Sequence, residues 1–138
     1  QGYVVVQGSS STVNLVSVLS ELGAQGINVK VISAISEDLF RRQSKEYQDS
    51  VLPPGSKYDL MVVSTGTKRV WPVQNVGSLT EDYSLVSDWH DEWLTGGTEQ
   101  DVIAEAHLDP ESIREGVKRF ALDHDVRIAS QRDQLANL

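Results

Sequence analysis

The chain has 138 residues, of which 39% are hydrophobic and 23% charged, and this composition is typical of one globular domain with a single core. Its net charge of −8 disfavours nucleic acid as a partner, because an acidic surface repels a phosphate backbone. The sequence contains no cysteine, which excludes disulfides and thiolate zinc sites and fits the reducing cytoplasm, and no apolar run approaches the roughly 20 residues of a membrane-spanning helix, so no membrane contact is predicted.

The chain opens with a strand, a helix and a second strand. Tyr3–Val6 is a β-branched run that predicts a strand buried on both faces. Apolar residues at near-helical spacing then predict a helix from about Ser11 to Leu22, ended by Gly23. Its predicted packing residues are Val13, Val16, Leu19 and Leu22. Ile27–Ile32 reads as the second strand.

A second helix is predicted between Ser36 and the Pro53-Pro54 pair. Ser36 is the predicted N-cap, with two acids in the first turn, and the prolines end the helix because they cannot continue its hydrogen bonding. Its predicted common face consists of Leu39, Phe40, Gln43 and Tyr47. Further strands are predicted at Asp59–Ser64 and, more weakly, at Tyr83–Ser87, and Arg69–Trp71 could supply an irregular fifth.

Two capped helices are predicted to close the domain. Thr98 and Asp101 have the spacing of a capping box, and Asp109 followed by Pro110 is an N-cap with proline at the first helical position. The second of these helices has its apolar face at Ile113, Val117, Phe120, Ala121 and His124. Residues 125–138 are polar and predict a frayed or partly helical tail, so the domain is assigned to residues 1–124.

Strands that alternate with helices predict an α/β fold. The expected architecture is a three-layer α/β/α sandwich with a mostly parallel sheet of four to five strands.

The loop after the first strand is the first candidate for chemistry. Gly8, Ser9, Ser10, Ser11 and Thr12 stand at a helix N-terminus, where backbone N–H groups can bind an anion. The loop has neither the Lys-Ser/Thr ending of a P-loop nor the three glycines of a dinucleotide fingerprint. A helix N-cap formed by the hydroxyl residues is therefore the predicted role, and an anion site is the alternative.

The histidines and tryptophans are the remaining candidates. His90 lies among acids, yet neighbouring positions point in different directions on a strand or helix, which disfavours a metal site there. Trp71, Trp89 and Trp93 predict an aromatic interface patch. His107 is expected at a helix end, where it would interact with the dipole, and His124 at the edge of a packing face. No catalytic, cofactor-binding or metal-ligating residue is predicted.

The segment from Val29 to Pro54 resembles the C-terminal domain of transketolases. The matching positions are Ser33, Ser36, Phe40, Gln43, Tyr47, Val51, Leu52 and Pro53. The similarity continues in order through the first strand and helix and through the two closing helices, and it covers roughly residues 3 to 122. Residues 67–93 match poorly, and Ile35 stands where the family often has proline.

The resemblance implies a non-catalytic third domain of a larger enzyme. In that family, thiamine diphosphate and a divalent metal (Mg or Ca) are held by two upstream domains, and the enzyme is a homodimer that transfers two-carbon ketol units between sugar phosphates. No catalytic residue of the family maps onto this chain, which alone is expected to be inactive. Two alternatives stay open: the third domain of an E1 component of a 2-oxoacid dehydrogenase, and a separate regulatory module that binds a small anionic metabolite near Ser9–Thr12.

Overall fold

The sheet is parallel throughout the part of the chain that the computed structural model describes, which is residues 1–67, 81–87 and 94–138. Within these residues it has four strands in the order β2-β1-β3-β4. The strands are β1 (Tyr3–Gln7), β2 (Lys30–Ser33), β3 (Leu60–Ser64) and β4 (Leu85–Val86). The predicted α/β fold with a parallel sheet is confirmed, and the possible fifth strand at Arg69–Trp71 lies outside the described residues.

The first strand forms the centre of the sheet. Its neighbours are β2 and β3, and the register pairs Val5 with Ile32 on one side and with Val62 on the other. Val4, Val5 and Val6 have no exposed surface, as the β-branched run predicts. Val4 and Val6 belong to the core on one face of the sheet and Val5 to the core on the opposite face, because side chains alternate along a strand.

The first helix, α1 (Ser9–Ala24), packs through a face that shares Leu22 with the predicted set, and the predicted Leu19 also contacts the core. Its buried residues are Ser11, Leu15, Val18 and Leu22, whereas Val13 and Val16 are 67% and 57% exposed. The predicted set repeats every three residues and therefore drifts around a helix that has 3.6 residues per turn. The buried set alternates steps of four and three, which keeps its side chains on one side.

The end of α1 is formed by a glycine other than the predicted one. Gly23 lies inside the helix, and Gly26 has the positive φ of 78°. The Gly26 N–H donates to the Gly23 carbonyl and the Ile27 N–H to the Leu22 carbonyl, which is the Schellman pattern. The second strand consequently begins at Lys30, three residues later than predicted.

The single helix predicted after Ser36 is two short helices, α2 (Glu37–Arg41) and α3 (Lys45–Val51). Ser36 caps α2 as predicted, but Ser44 caps α3, because its hydroxyl accepts from the Tyr47 N–H. The expectation of one continuous helical face at positions 39–47 is therefore wrong. Phe40 and Tyr47 still lie near one another, with ring centroids 6.4 Å apart.

The C-terminal part consists of α4 (Glu99–Glu105), α5 (Pro110–Leu122) and α6 (His124–Ala136). The predicted capping box at Thr98 and the Asp109 cap with Pro110 at the helix start are both confirmed. The tail is more ordered than predicted, because residues 124–136 form a helix whose Arg127 is buried.

Elements pack on both faces of the sheet, which gives the predicted three layers. On one face, α1 and α5 cover Val4, Val6, Met61 and Val63. On the other face, Ala34 and Leu52 pack against Val5, Leu60 and Val62. The apolar residues of α5 predicted to pack (Ile113, Val117, Phe120 and Ala121) are all buried.

Candidate functional site

The sheet order places a topological switch point between the carboxyl ends of β1 and β3. The chain passes from β1 to β2 on one side and then returns across β1 to β3 on the other, so the direction of winding reverses between β1 and β3. Ligands of open parallel sheets bind at this kind of switch point. The loops that follow Gln7 and Ser64 meet at this point.

These two loops are joined closely by polar contacts. The Ser64 hydroxyl donates to the Gln7 side-chain oxygen over 3.0 Å and accepts from the Gly66 N–H over 2.9 Å. Gly8 has a φ of 96°, and a Cβ atom placed on it would lie 2.5 Å from the Thr65 hydroxyl oxygen. Only glycine fits both this backbone conformation and this approach.

The loop predicted as a cap or anion site forms the start of α1, but its cap is not a side chain. Gly8 is the N-cap residue, and no side-chain oxygen accepts from the first turn. The Thr12 hydroxyl instead donates to the Gly8 carbonyl over 2.7 Å. The prediction of a Ser/Thr N-cap is therefore wrong, because the helix begins at Ser9, before the Ser11 start predicted for it.

Ser11 is the unusual residue of this turn. It has no exposed surface, and its hydroxyl oxygen has no hydrogen-bond partner. An unpaired buried hydroxyl is costly in a protein interior, so such a group needs a reason. Because helical side chains tilt toward the N-terminus, Ser11 leans toward the level of Gly8 on the side that faces the core.

The chemistry at this edge is that of hydroxyl, amide and backbone groups. The groups with shifted pKa values lie on α4 and α5 instead. Hydrogen bonds from the Thr98 hydroxyl and N–H lower the pKa of Asp101, and those from Thr95 lower the pKa of Glu105. The pKa of Arg114 is raised mainly by its hydrogen bond to Glu21, with smaller contributions from Glu111 and Glu115. These shifts reflect a helix cap at Asp101, hydrogen bonds from Thr95 to Glu105 and the surface ion pairs of Arg114.

The two described histidines lie apart from the switch point. His107 follows α4 directly and adopts a left-handed conformation with φ 55°. His124 begins α6, and its Nδ1 is 2.9 Å from an Asp59 carboxylate oxygen at the amino end of β3. In the part of the chain that the structure describes, no three His, Cys, Asp or Glu side chains are placed to hold a metal ion. His90 and the predicted interface residues Trp71, Trp89 and Trp93 lie outside that part.

Sequence reasoning missed the cluster around Asp59. The guanidinium of Arg127 bonds to the Asp59 carboxylate and to the Phe120 carbonyl, and it lies 3.9 Å from the centroid of the Phe120 ring. The only indication of this cluster in the sequence was the position of Asp59, a charged residue directly before a buried strand. Nothing in the polar segment after His124 distinguishes Arg127 from an exposed arginine.

A model of the transketolase-like TK C-terminal domain family matches residues 2–87 of the chain. The match ends just after β4, so it includes every described strand of the sheet. No curated protein sequence matches the chain significantly. Among the described residues, no helix is long and apolar enough to cross a membrane.

Proposed function

Because this chain belongs to the transketolase-like TK C-terminal domain family, we propose that it is the non-catalytic third domain of a transketolase-like enzyme. That family indicates thiamine-diphosphate enzymes in general. The proposed reaction of the whole enzyme is the transfer of two-carbon ketol units between sugar phosphates in the cytoplasm, and the proposed task of this domain is to stabilise the subunit and its homodimer. The observation that supports the proposal is the family match across the whole described sheet.

The residues that the structure describes do not fit the cofactor's metal. A divalent metal such as Mg or Ca prefers several oxygen ligands, usually carboxylates, and the edge of the sheet where ligands bind carries Gln7, Ser64 and Thr65. The described residues also hold no cluster of three metal-binding side chains. We propose, as the family resemblance implies, that thiamine diphosphate and its metal are held by upstream domains of the same enzyme.

Calorimetry tests this assignment directly. We expect no saturable heat when the 138-residue chain is titrated with thiamine diphosphate and magnesium. Saturable binding with one cofactor per chain would contradict the proposal. The coding sequence before Gln1 is a second test, since we expect it to encode two further α/β domains.

A separate regulatory module that binds a small anionic metabolite is the second candidate. It is favoured by the position of the first turn of α1 at the switch point and by the unpaired Ser11 hydroxyl. This candidate expects a sugar phosphate to raise the melting temperature of the chain. It also expects Ser10→Asp to abolish that effect by repulsion, while Ser20→Asp, on the exposed side of α1, leaves it unchanged. No thermal shift with any sugar phosphate would reject it.

An E1-type parent enzyme would carry a domain of the same fold. The choice between the two parents therefore depends on substrates, and assays of the whole enzyme with a ketose phosphate and with a 2-oxoacid distinguish them.

A further inference from the structure

A cleft of about 800 Å³ lies between the sheet and the segment that covers its second face. Val5, Ile32 and Leu60 line it from the sheet. The other side is lined by the covering segment, which we define as residues 34–54 and which contains α2 and α3. The volume lies within the range of roughly 300–1,000 Å³ that is usual for small-molecule sites.

The covering segment is anchored to the sheet by Ala34 and Leu52, and its two helices are held by polar contacts. Neither α2 nor α3 contains a buried residue. The Lys30 ammonium donates to the carbonyls of Ser50 and Val51 over 3.1 and 3.0 Å, and the Gln48 amide donates to the carbonyls of Arg41 and Gln43. Together with the serine caps and the contacts of Ala34 and Leu52 with the sheet, these bonds hold the segment in place beside the cleft.

Three large apolar side chains around the cleft are exposed to solvent. Ile35, Leu39 and Tyr47 all line it and are 91%, 61% and 52% exposed. Large exposed apolar side chains are ordinary when they are scattered, but a contiguous set beside an apolar cavity indicates a binding surface. Phe40 adds a second aromatic ring next to Tyr47.

The charges of the cleft leave one cation unmatched. Arg41 pairs with Glu37, and Lys45 pairs with Asp49, each within its own helix. Lys57 also lines the cleft, but among the described residues it has no carboxylate within ion-pair distance, and its ammonium lies 4.9 Å from the Tyr58 ring centroid. In a chain of net charge −8, this local excess of positive charge favours an anion.

We propose that this cleft binds a small amphipathic molecule with an apolar or aromatic body and one anionic group. The body would occupy the space between Ile32, Phe40 and Tyr47, and the anionic group would lie at Lys57. This site is separate from the loop at Gly8–Thr12, and the proposal does not depend on the enzyme to which the domain belongs.

The test uses 1-anilinonaphthalene-8-sulfonate, a fluorescent aromatic anion, with the folded chain at neutral pH. We expect saturable binding of one dye per chain. Lys57→Gln should weaken it about tenfold, whereas the matched control Lys118→Gln, on α5, should not. Leu39→Asp should weaken it further through repulsion, while Val13→Asp, an equally exposed apolar site on α1, should not. The uncharged analogue N-phenyl-1-naphthylamine should bind equally to the wild type and to Lys57→Gln.

Three results would overturn the proposal. The first is an absence of saturable binding. The second is equal binding by Lys57→Gln and Lys118→Gln. The third is self-association of the chain in sedimentation that Leu39→Asp abolishes, because a second copy would then cover the cleft. Near-UV circular dichroism excludes binding to a loosened state, since the signal of the wild type should not change when the dye is added.

Discussion

Arg127 and Asp59 form a buried ion pair across 68 positions of sequence. Two nitrogens of the Arg127 guanidinium donate to the same Asp59 carboxylate oxygen, and the third donates to the Phe120 carbonyl. The Arg127 side chain is 2% exposed and that of Asp59 11%. The pair therefore connects the C-terminal helix to the amino end of β3. This helix lies beyond the residues that the family model matches, whereas β3 lies within them.

Replacing Arg127 with methionine should destabilise the chain strongly. The substitution leaves the Asp59 carboxylate buried without its main partner, and breaking such a pair costs about 3–5 kcal/mol. Urea unfolding measures the loss. Arg132→Met, at an exposed position of the same helix, is the matched control and should stay within about 0.5 kcal/mol of the wild type. If Asp59→Asn restores much of the stability of Arg127→Met, the uncompensated charge is the cause; equal effects of the two arginine variants would refute this role.

Two glycine-to-alanine substitutions should act in opposite directions. Gly8→Ala forces a side chain into a φ of 96° and against Thr65, which should cost about 1–3 kcal/mol. Gly23 lies inside α1 with nothing within 4 Å of an added Cβ, so Gly23→Ala should stabilise the helix by up to about 1 kcal/mol. Thermal unfolding of both variants and the wild type measures these changes: the melting temperature should fall for Gly8→Ala and rise for Gly23→Ala. A stable Gly8→Ala chain would mean that the loop can move away from Thr65.

Asp109 should contribute a stability that depends on pH. Partial burial opposes its ionisation, but hydrogen bonds from the Ser112 hydroxyl and N–H, with further backbone bonds, outweigh this and lower its pKa. A lowered pKa in the folded state stabilises the chain above the ordinary value of about 3.9, and this stability is lost as the pH falls through the folded-state pKa.

The substitution Asp109→Asn tests that dependence. Asparagine keeps an acceptor for the α5 N-cap but cannot ionise, so the variant should be slightly less stable than the wild type at neutral pH. The difference in melting temperature should shrink between pH 5 and pH 3. Asp109→Ala also loses the cap acceptor and should cost about 1 kcal/mol at neutral pH. A difference between wild type and Asp109→Asn that does not vary with pH would contradict the ionisation effect.

Lys30→Met should loosen the covering segment without unfolding the domain. The substitution removes the donor to the carbonyls of Ser50 and Val51, while the buried cores contain no part of α2 or α3. Hydrogen exchange read by mass spectrometry should show faster exchange in residues 34–54 and little change in β1 and β3. Uniformly faster exchange would mean that Lys30 supports the whole fold, and unchanged exchange would mean that its hydrogen bonds are dispensable.

The sequence predicted best where one local rule decides the structure. The run Tyr3–Val6 could only be a buried strand, and the Asp109-Pro110 start of α5 follows from capping alone. The face of α1 was also readable, since the spacing of Leu15, Val18 and Leu22 is closer to 3.6 than that of the predicted set. The sequence predicted that the candidate loop stands at a helix N-terminus, but it did not predict that Gly8 is the N-cap residue.

Other features depend on contacts distant in sequence. The end of α3 is held by the Lys30 ammonium, which comes from another element. The closeness of Gly8 to Thr65 and the burial of Arg127 exist only once β1 and β3 are paired. The cleft likewise depends on the distance between the sheet and the covering segment, and no pattern of residues in the sequence predicts that distance.

The central place of β1 determines how the sheet can assemble. Each of its neighbours comes from later in the chain, and its partner Leu60 lies 57 residues beyond Tyr3. The pairing of β1 with β3 at such separation needs a large loop to close, which slows folding relative to a protein of local contacts. A chain shortened by its first seven residues would leave β2 without a neighbour and β3 with only the two-residue β4. We therefore expect removal of residues from the amino terminus to cause loss of the fold.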